Sequence, residues 1–196
     1  MNIIATDGQT KGIDVSENNG RVNWNAVRAA GYEFAIVRSS YGRTGIDEEF
    51  QRNVEGAHAA GLICGAYHYG YGLDVAQARE EAEHCRRVID NAGVLLELPV
   101  FYDMEDADGY KARRGFDFDP QEMTEMCRAF RETIGLDCGI YASLHWLENY
   151  IDWKSLGCAV WNAQWGSDDD LKGYMWQYTD SAQIGGKNFD ANILYA

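Results

Sequence analysis

The sequence predicts an α/β protein, an irregular single-domain (β/α) barrel resembling a TIM barrel with reduced helices in its C-terminal half. Three observations predict it. Short apolar runs alternate with longer amphipathic segments, the signature of parallel β/α architecture. Eight strand candidates can be read along the chain, the number that closes such a barrel. The later strand candidates lack full helices between them, and 196 residues is short for eight complete units.

The elements follow in order. Gly12 to Val15 is a first short strand. Asn23 to Ala30 reads as a helix with Asn23 as N-cap and Gly31 as its stop. Phe34 to Arg38 is a second strand. Asp47 to Ala60 is helical, with Phe50, Val54 and Ala57 on one face. Leu62 to Tyr69 is a third strand, and Val75 to Asn91 a long helix rich in Ala, Glu and Arg. Val100 to Asp103 is a fourth strand, an apolar run bounded by Pro99. Pro120 follows Asp119 at a first helical position and opens a helix to about Ile134. Cys138 to Ala142 is a fifth strand and Leu144 to Tyr150 a short helix. Ala159 to Gln164, Tyr174 to Tyr178 and Phe189 to Leu194 complete the strands. The expected division is an N-terminal extension over 1–11 and one domain over 12–196.

Composition excludes several function classes. The formal charge of −14 argues against phosphate-backbone binding, which needs clustered Lys and Arg, and against anionic membranes. No nucleic-acid or membrane partner is therefore expected. No run approaches the length of a transmembrane helix. Five widely spaced cysteines without a Cys-x-x-Cys pair read as buried thiols, neither a disulfide frame nor a zinc site. His58, His68, His84 and His145 show no metal-ligand spacing, so neither metal nor cofactor is expected. His68 reads as a packing or hydrogen-bonding residue, and the other three as surface or helix-face residues. Asp168, Asp169 and Asp170 read as a solvated loop. Met1 to Thr10 shows no signal-peptide pattern. The expectation is a protein held in the cytoplasm until release, or one secreted with a leader outside this sequence. Six Trp and twelve Tyr suit recognition of a carbohydrate.

In a parallel barrel the strand C-termini gather at one face, where active sites sit. The residues at those ends are Asp14, Ser16, Arg38, Tyr67, His68, Asp103, Glu105, Tyr141, Gln164, Trp165, Gln177, Tyr178 and Asp190. The richest segment is Pro99-Val100-Phe101-Tyr102-Asp103-Met104-Glu105-Asp106. Residues two apart on an extended chain point to the same side, roughly 6.6 Å apart. Asp103 and Glu105 would share one small site. Like charges so close raise the pKa of one of the pair, and one protonated plus one ionised carboxyl is what glycosidic cleavage needs.

Gly12-Ile13-Asp14-Val15-Ser16, Ala66-Tyr67-His68-Tyr69, Phe101-Tyr102-Asp103-Met104-Glu105, Gly139-Ile140-Tyr141-Ala142-Ser143, Ala163-Gln164-Trp165, Met175-Trp176-Gln177-Tyr178-Thr179 and Phe189-Asp190-Ala191-Asn192 stand in this order. Together they resemble the glycoside hydrolase family 25 muramidases, the lysozymes of phage endolysins and bacterial autolysins. The resemblance spans roughly residues 12–193. It implies an irregular β/α barrel and hydrolysis of the β-1,4 bond between N-acetylmuramic acid and N-acetylglucosamine. The implied partner is the glycan strand of bacterial peptidoglycan, met by a monomer. The family's Asp-x-Glu falls on Asp103 and Glu105, its first-strand Asp on Asp14 and its late Asp on Asp190. Asn162 stands where the family more often has an aliphatic residue, and the Asp106–Asp119 loop is individual to this chain.

The roles expected are these. Glu105 is the general acid. Asp103 is either the nucleophile or the group that orients the substrate's own 2-acetamido oxygen. Asp14 and Asp190, from the first and last strands, bind the sugar or tune the pair's protonation. Arg38 neutralises part of this cluster. Tyr67, Tyr141, Gln164, Trp165, Gln177 and Tyr178 bind substrate. A chitinase-like β-1,4-N-acetylglucosaminidase is the rival enzyme, separated by which sugar becomes the reducing end. A catalytically silent carbohydrate-binding module is the rival outside catalysis, separated by a turbidity assay on cell walls.

Overall fold

The computed structural model describes residues 9–195. Residues 1–8 of the expected extension lie outside them. Gln9, Thr10 and Lys11 already belong to the first strand, β1 (Gln9–Val15).

The chain continues through α1 (Trp24–Ala29), β2 (Phe34–Tyr41), β3 (Gly45–Ile46), α2 (Phe50–Ala59), β4 (Ile63–Tyr69), α3 (Val75–Ala92) and β5 (Val100–Asp103). Then come α4 (Tyr110–Arg113), α5 (Pro120–Ile134), β6 (Cys138–Ser143), α6 (Leu144–Asn149), α7 (Trp153–Leu156), β7 (Val160–Ala163), β8 (Met175–Ile184) and β9 (Lys187–Tyr195). Eight strands close into a barrel in the order β1-β2-β4-β5-β6-β7-β8-β9, with β9 returning to β1 and β3 pairing β2 alone. All neighbours run parallel except β8–β9 and β9–β1.

That reversed strand comes from a turn the sequence reading passed over. Gly185 and Gly186 both take positive φ, 58° and 85°, as a two-residue hairpin turn requires. The turn pairs Ile184 with Lys187, so both strands run past the Tyr174–Tyr178 and Phe189–Leu194 segments expected. Asp190 sits near the start of β9. Because β9 is antiparallel, its start lies at the same barrel face as the C-terminal ends of the other strands.

The strands alternate between two apolar layers, as a period of two demands. Phe34, Ile36, Phe101, Trp161 and Met175 pack together inside the barrel. Ala35, Val37, Cys64, Ala66, Tyr102 and Ile140 face outward into the larger core under the helices. Gly12 and Gly139 make the lumen possible: a Cβ at Gly12 would stand 2.3 Å from the Phe34 ring, and one at Gly139 2.7 Å from Phe101.

The helices form where caps and apolar periodicity coincide. In α3, Asp74 caps the Gln77 N–H and Gly93 closes the helix in the left-handed region. Ala78, Ala82, Cys85 and Ile89 form its buried stripe. In α5, Asp119 caps Glu122 N–H and Pro120 occupies the first turn. Helix α2 starts at Phe50, three residues later than expected. The Asp47 side chain is engaged instead by Arg38 and by the backbone N–H groups of Glu17 and Glu49. All five cysteines are free thiols, four of them buried. No helix among the described residues is long and apolar enough to cross a membrane.

Candidate active site

Parity along the strands selects which side chains reach the lumen's open end. Above the apolar layer of Phe34, Phe101 and Trp161 come Asp14 on β1, Arg38 on β2, Tyr67 on β4, Asp103 on β5, Tyr141 on β6, Gln177 on β8 and Asp190 on β9. With Glu105 they line a cavity of about 290 Å³. Ser16, expected at this face but without a role, lines it too, as do Asn18, Asn19, Tyr69 and Trp161, which the sequence reading did not assign to a site.

Asp14 and Asp190 are register partners across the antiparallel β1–β9 pair. The buried Asp14 carboxylate accepts two amide bonds on Oδ2, from Gln177 Nε2 at 3.0 Å and Asn192 Nδ2 at 2.8 Å. Each amide is fixed in turn. Gln177 Oε1 accepts from the Tyr141 hydroxyl at 3.0 Å and the Trp165 indole N–H at 3.1 Å, and Asn192 Oδ1 accepts from Trp161 Nε1 at 2.8 Å. Burial and the Asp190 charge push Asp14 up to about 7, against the two amide bonds. Asp190 itself is pushed up to about 6 by burial and Asp180.

Asp103 is buried, and its Oδ1 has no hydrogen-bond partner among the described residues. Burial, then the Glu105 charge, holds its carboxyl well above the usual range. Glu105 is pushed up to about 7, by burial first, with Lys111 opposing and Asp190, Asp108 and Asp106 adding to the rise. A carboxyl that keeps its proton near neutrality can act as a general acid.

Arg38 lines the cavity, yet its ion pairs run to Asp47 at 2.9 Å and Glu17 at 3.0 Å. The cation set against the Asp103–Glu105 segment is Lys111. It is fully buried, and its Nζ donates to the carbonyls of Gly70 and, at 2.6 Å, Glu105. A single lysine in a charged loop carries no periodic signal that would mark its burial.

Gln164 and Tyr178 are not among the residues lining the cavity. Gln164 donates to Asp170 at 2.7 Å, and Tyr178 packs against Trp176 and the outer core. Trp165 is 62% exposed and reaches the site only through its bond to Gln177. The expected solvated loop is anchored: Asp169 accepts from Asn162 and from the Tyr195 hydroxyl. The Asn162 bond satisfies its Nδ2, while its buried Oδ1 has no hydrogen-bond partner among the described residues. His68 is buried and bonds Ser40 at 2.8 Å. His84, expected at a surface or helix face, is buried on α3 and bonds the Gly45 carbonyl.

The family model for glycosyl hydrolases family 25 matches residues 13–187. An autolytic lysozyme from Clostridium acetobutylicum is 26% identical over 189 residues, covering 93% of this chain and 54% of its own length. Lysozyme M1 from Streptomyces globisporus is 25% identical over 197 residues, covering 93% and 66%. The chain thus spans between half and two-thirds of these relatives. Among solved structures, the bacterial lysozyme from Streptomyces coelicolor superposes with a TM-score of 0.77 at 25% identity, covering 96% of this chain and 92% of that one. The modular autolysin LytC from Streptococcus pneumoniae, in complex with a synthetic peptidoglycan ligand, shares the fold with a TM-score of 0.84 at 21% identity, covering 98% and 48%.

Proposed function

The chain belongs to glycosyl hydrolases family 25, and from that premise we propose that it is a muramidase, a lysozyme cleaving the β-1,4 bond between N-acetylmuramic acid and N-acetylglucosamine in peptidoglycan. The observation that carries this reading is the convergence of Asp14, Asp103, Glu105 and Asp190 on one cavity, with Glu105 pushed up to about 7. Relatives bearing the names autolytic lysozyme and Lysozyme M1 support it.

In the proposed reaction Glu105 gives its proton to the glycosidic oxygen. The 2-acetamido oxygen of the muramic residue attacks its own anomeric carbon as that bond breaks, forming an oxazolinium. Asp103 accepts the acetamido N–H. The unpartnered Oδ1 is an acceptor whose burial costs free energy until a ligand meets it, and the developing positive charge favours the ionised form of Asp103. Glu105, now ionised, deprotonates the water that opens the oxazolinium. Asp14 and Asp190 hold the protonation of the pair, Tyr67, Tyr141 and Gln177 contact the sugar, and Trp165 acts on it through Gln177. The protein works as a monomer on wall glycan strands, in the manner of an endolysin released at lysis or of a secreted autolysin.

Digestion of purified peptidoglycan followed by borohydride reduction tests the assignment. Reduced muramic acid at the new ends is expected. Reduced glucosamine alone would replace this reading with a glucosaminidase.

A further inference from the structure

The loop after β5 carries the proposed acid, and it has little regular structure between Met104 and Gly109. Its conformation is held from behind by a buried polar bridge. The Gly70 N–H donates to the carbonyl of Asp103 at 3.0 Å, while the Gly70 carbonyl accepts from Lys111 Nζ. The same ammonium donates to the Glu105 carbonyl at 2.6 Å. The ends of β4 and β5 and the Glu105 backbone are thereby tied through one glycine and one lysine. Asp106 starts the short helix that delivers the lysine, accepting from Lys111 N–H at 2.7 Å and Ala112 N–H at 3.1 Å.

A fully buried ammonium is costly unless paired and hydrogen-bonded. Burial lowers the Lys111 pKa, and the nearby charges of Glu81 on α3, then Asp103, Asp106 and Glu105, oppose that. The Glu81 carboxylate itself accepts from Tyr71 N–H at 2.7 Å and the Tyr102 hydroxyl at 2.9 Å. A neutral donor could satisfy the two carbonyls without that cost. What a lysine adds is three donors on one atom and a positive charge behind two crowded carboxyls.

We propose that Lys111 is a positioning residue for Glu105, tying the Glu105 main chain to the end of β4 so that its carboxyl is held over the glycosidic bond. The inference rests on the muramidase reading for its kinetic consequence but not for its geometry. The acidic groups facing Glu105 are Asp14, Asp103, Asp106, Asp108 and Asp190, and Tyr69 and Tyr141 face it from β4 and β6. Lys111 is the cation that opposes them at Glu105, Arg38 also acts on Asp103, and His68 and Cys127 feel the Lys111 charge from β4 and α5.

The test compares wild type with Lys111→Met, which keeps the volume and removes the charge and the bonds. The Glu105 carboxyl is followed by ¹³C NMR titration of the free protein, and kcat and KM are measured on purified walls. The titration midpoint is expected to rise by about one pH unit. The kcat is expected to fall about tenfold or more with KM within about twofold, since a small misplacement of a reacting group slows chemistry without weakening binding. An unchanged midpoint and kcat, whatever the melting temperature, would overturn the proposal. Should Lys111→Met fail to fold, Lys111→Gln decides: it keeps a donor and lacks the charge, so the Glu105 midpoint must still rise, and an unmoved midpoint with unchanged kcat overturns the proposal. Because the titration needs no substrate, inactivity of the wild type would fault the muramidase reading alone.

Discussion

Asp14 and Asp190 face each other directly across the antiparallel β1–β9 pair, two carboxylates in register at the mouth of the barrel. Like charges placed opposite one another on a sheet are destabilising. Burial is the larger cause here: it and then the Asp190 charge raise Asp14 to about 7, while burial and then Asp180 raise Asp190 to about 6. The sign follows from linkage. A carboxyl whose folded pKa exceeds its unfolded one binds protons more tightly in the native state, so it favours folding at low pH. That contribution is lost as pH rises through about 6 to 7.

Asp190→Asn therefore should raise the melting temperature at pH 8 relative to wild type and leave it nearly unchanged at pH 4. Thermal unfolding followed by circular dichroism at both pH values reads the difference. Equal changes at pH 4 and pH 8 would show that the two carboxyls do not interact as described.

The second prediction concerns what holds Asp14. Asn192 donates to its carboxylate and accepts from the buried Trp161 indole. Asn192→Ala leaves two buried groups short of a partner, at a cost of about 1–3 kcal/mol. Urea denaturation should show that loss at neutral pH. Asp14 should also hold its proton to higher pH once an amide bond to its charged form is gone. A variant as stable as wild type would contradict the network.

The third prediction concerns stereochemistry. Attack by the substrate's acetamido oxygen followed by water gives two displacements at one carbon, hence retention. Proton NMR of a fresh digest should show the β-anomer of the new muramic end before mutarotation. Initial appearance of the α-anomer would mean direct displacement by water and would remove the acetamido step. Asp103→Asn should slow the same reaction by about 10²-fold or more.

Strand parity explains how much of the site could be read from the chain. Asp14, Asp103, Tyr141, Gln177 and Asp190 were placed at strand ends from sequence, and all line the cavity. Tyr178 follows the inward-facing Gln177 by one residue, so the pleat turns it to the outer core. Gln164 follows Ala163 in the same way and serves the Asp170 loop instead. The reversal of β9 was hidden because the glycine pair at 185–186 changes direction without changing hydrophobic pattern. Lys111 and Arg38 mark another limit: a sequence lists charges but not their partners, and Arg38 is held by Asp47 and Glu17 while its charge still bears on Asp103.

The fourth prediction uses that parity. Trp165→Ala, which removes an exposed ring bonded to Gln177, should raise KM on cell walls several-fold with kcat little changed. Tyr178→Phe, one residue beyond Gln177, should leave KM unchanged. Steady-state turbidity assays measure both, and an equal effect from the two would contradict the assignment of faces.

The most direct test of the central claim is lysis of purified cell walls by Glu105→Gln, with the fold monitored by circular dichroism. Gln keeps the shape and cannot give a proton. Activity should fall by about 10²–10⁴-fold while the spectrum and melting curve remain native. Wild-type activity should fall as pH rises through about 7, where Glu105 loses its proton. A folded Glu105→Gln variant that retains most of the lytic activity would contradict the assignment of Glu105 as the acid.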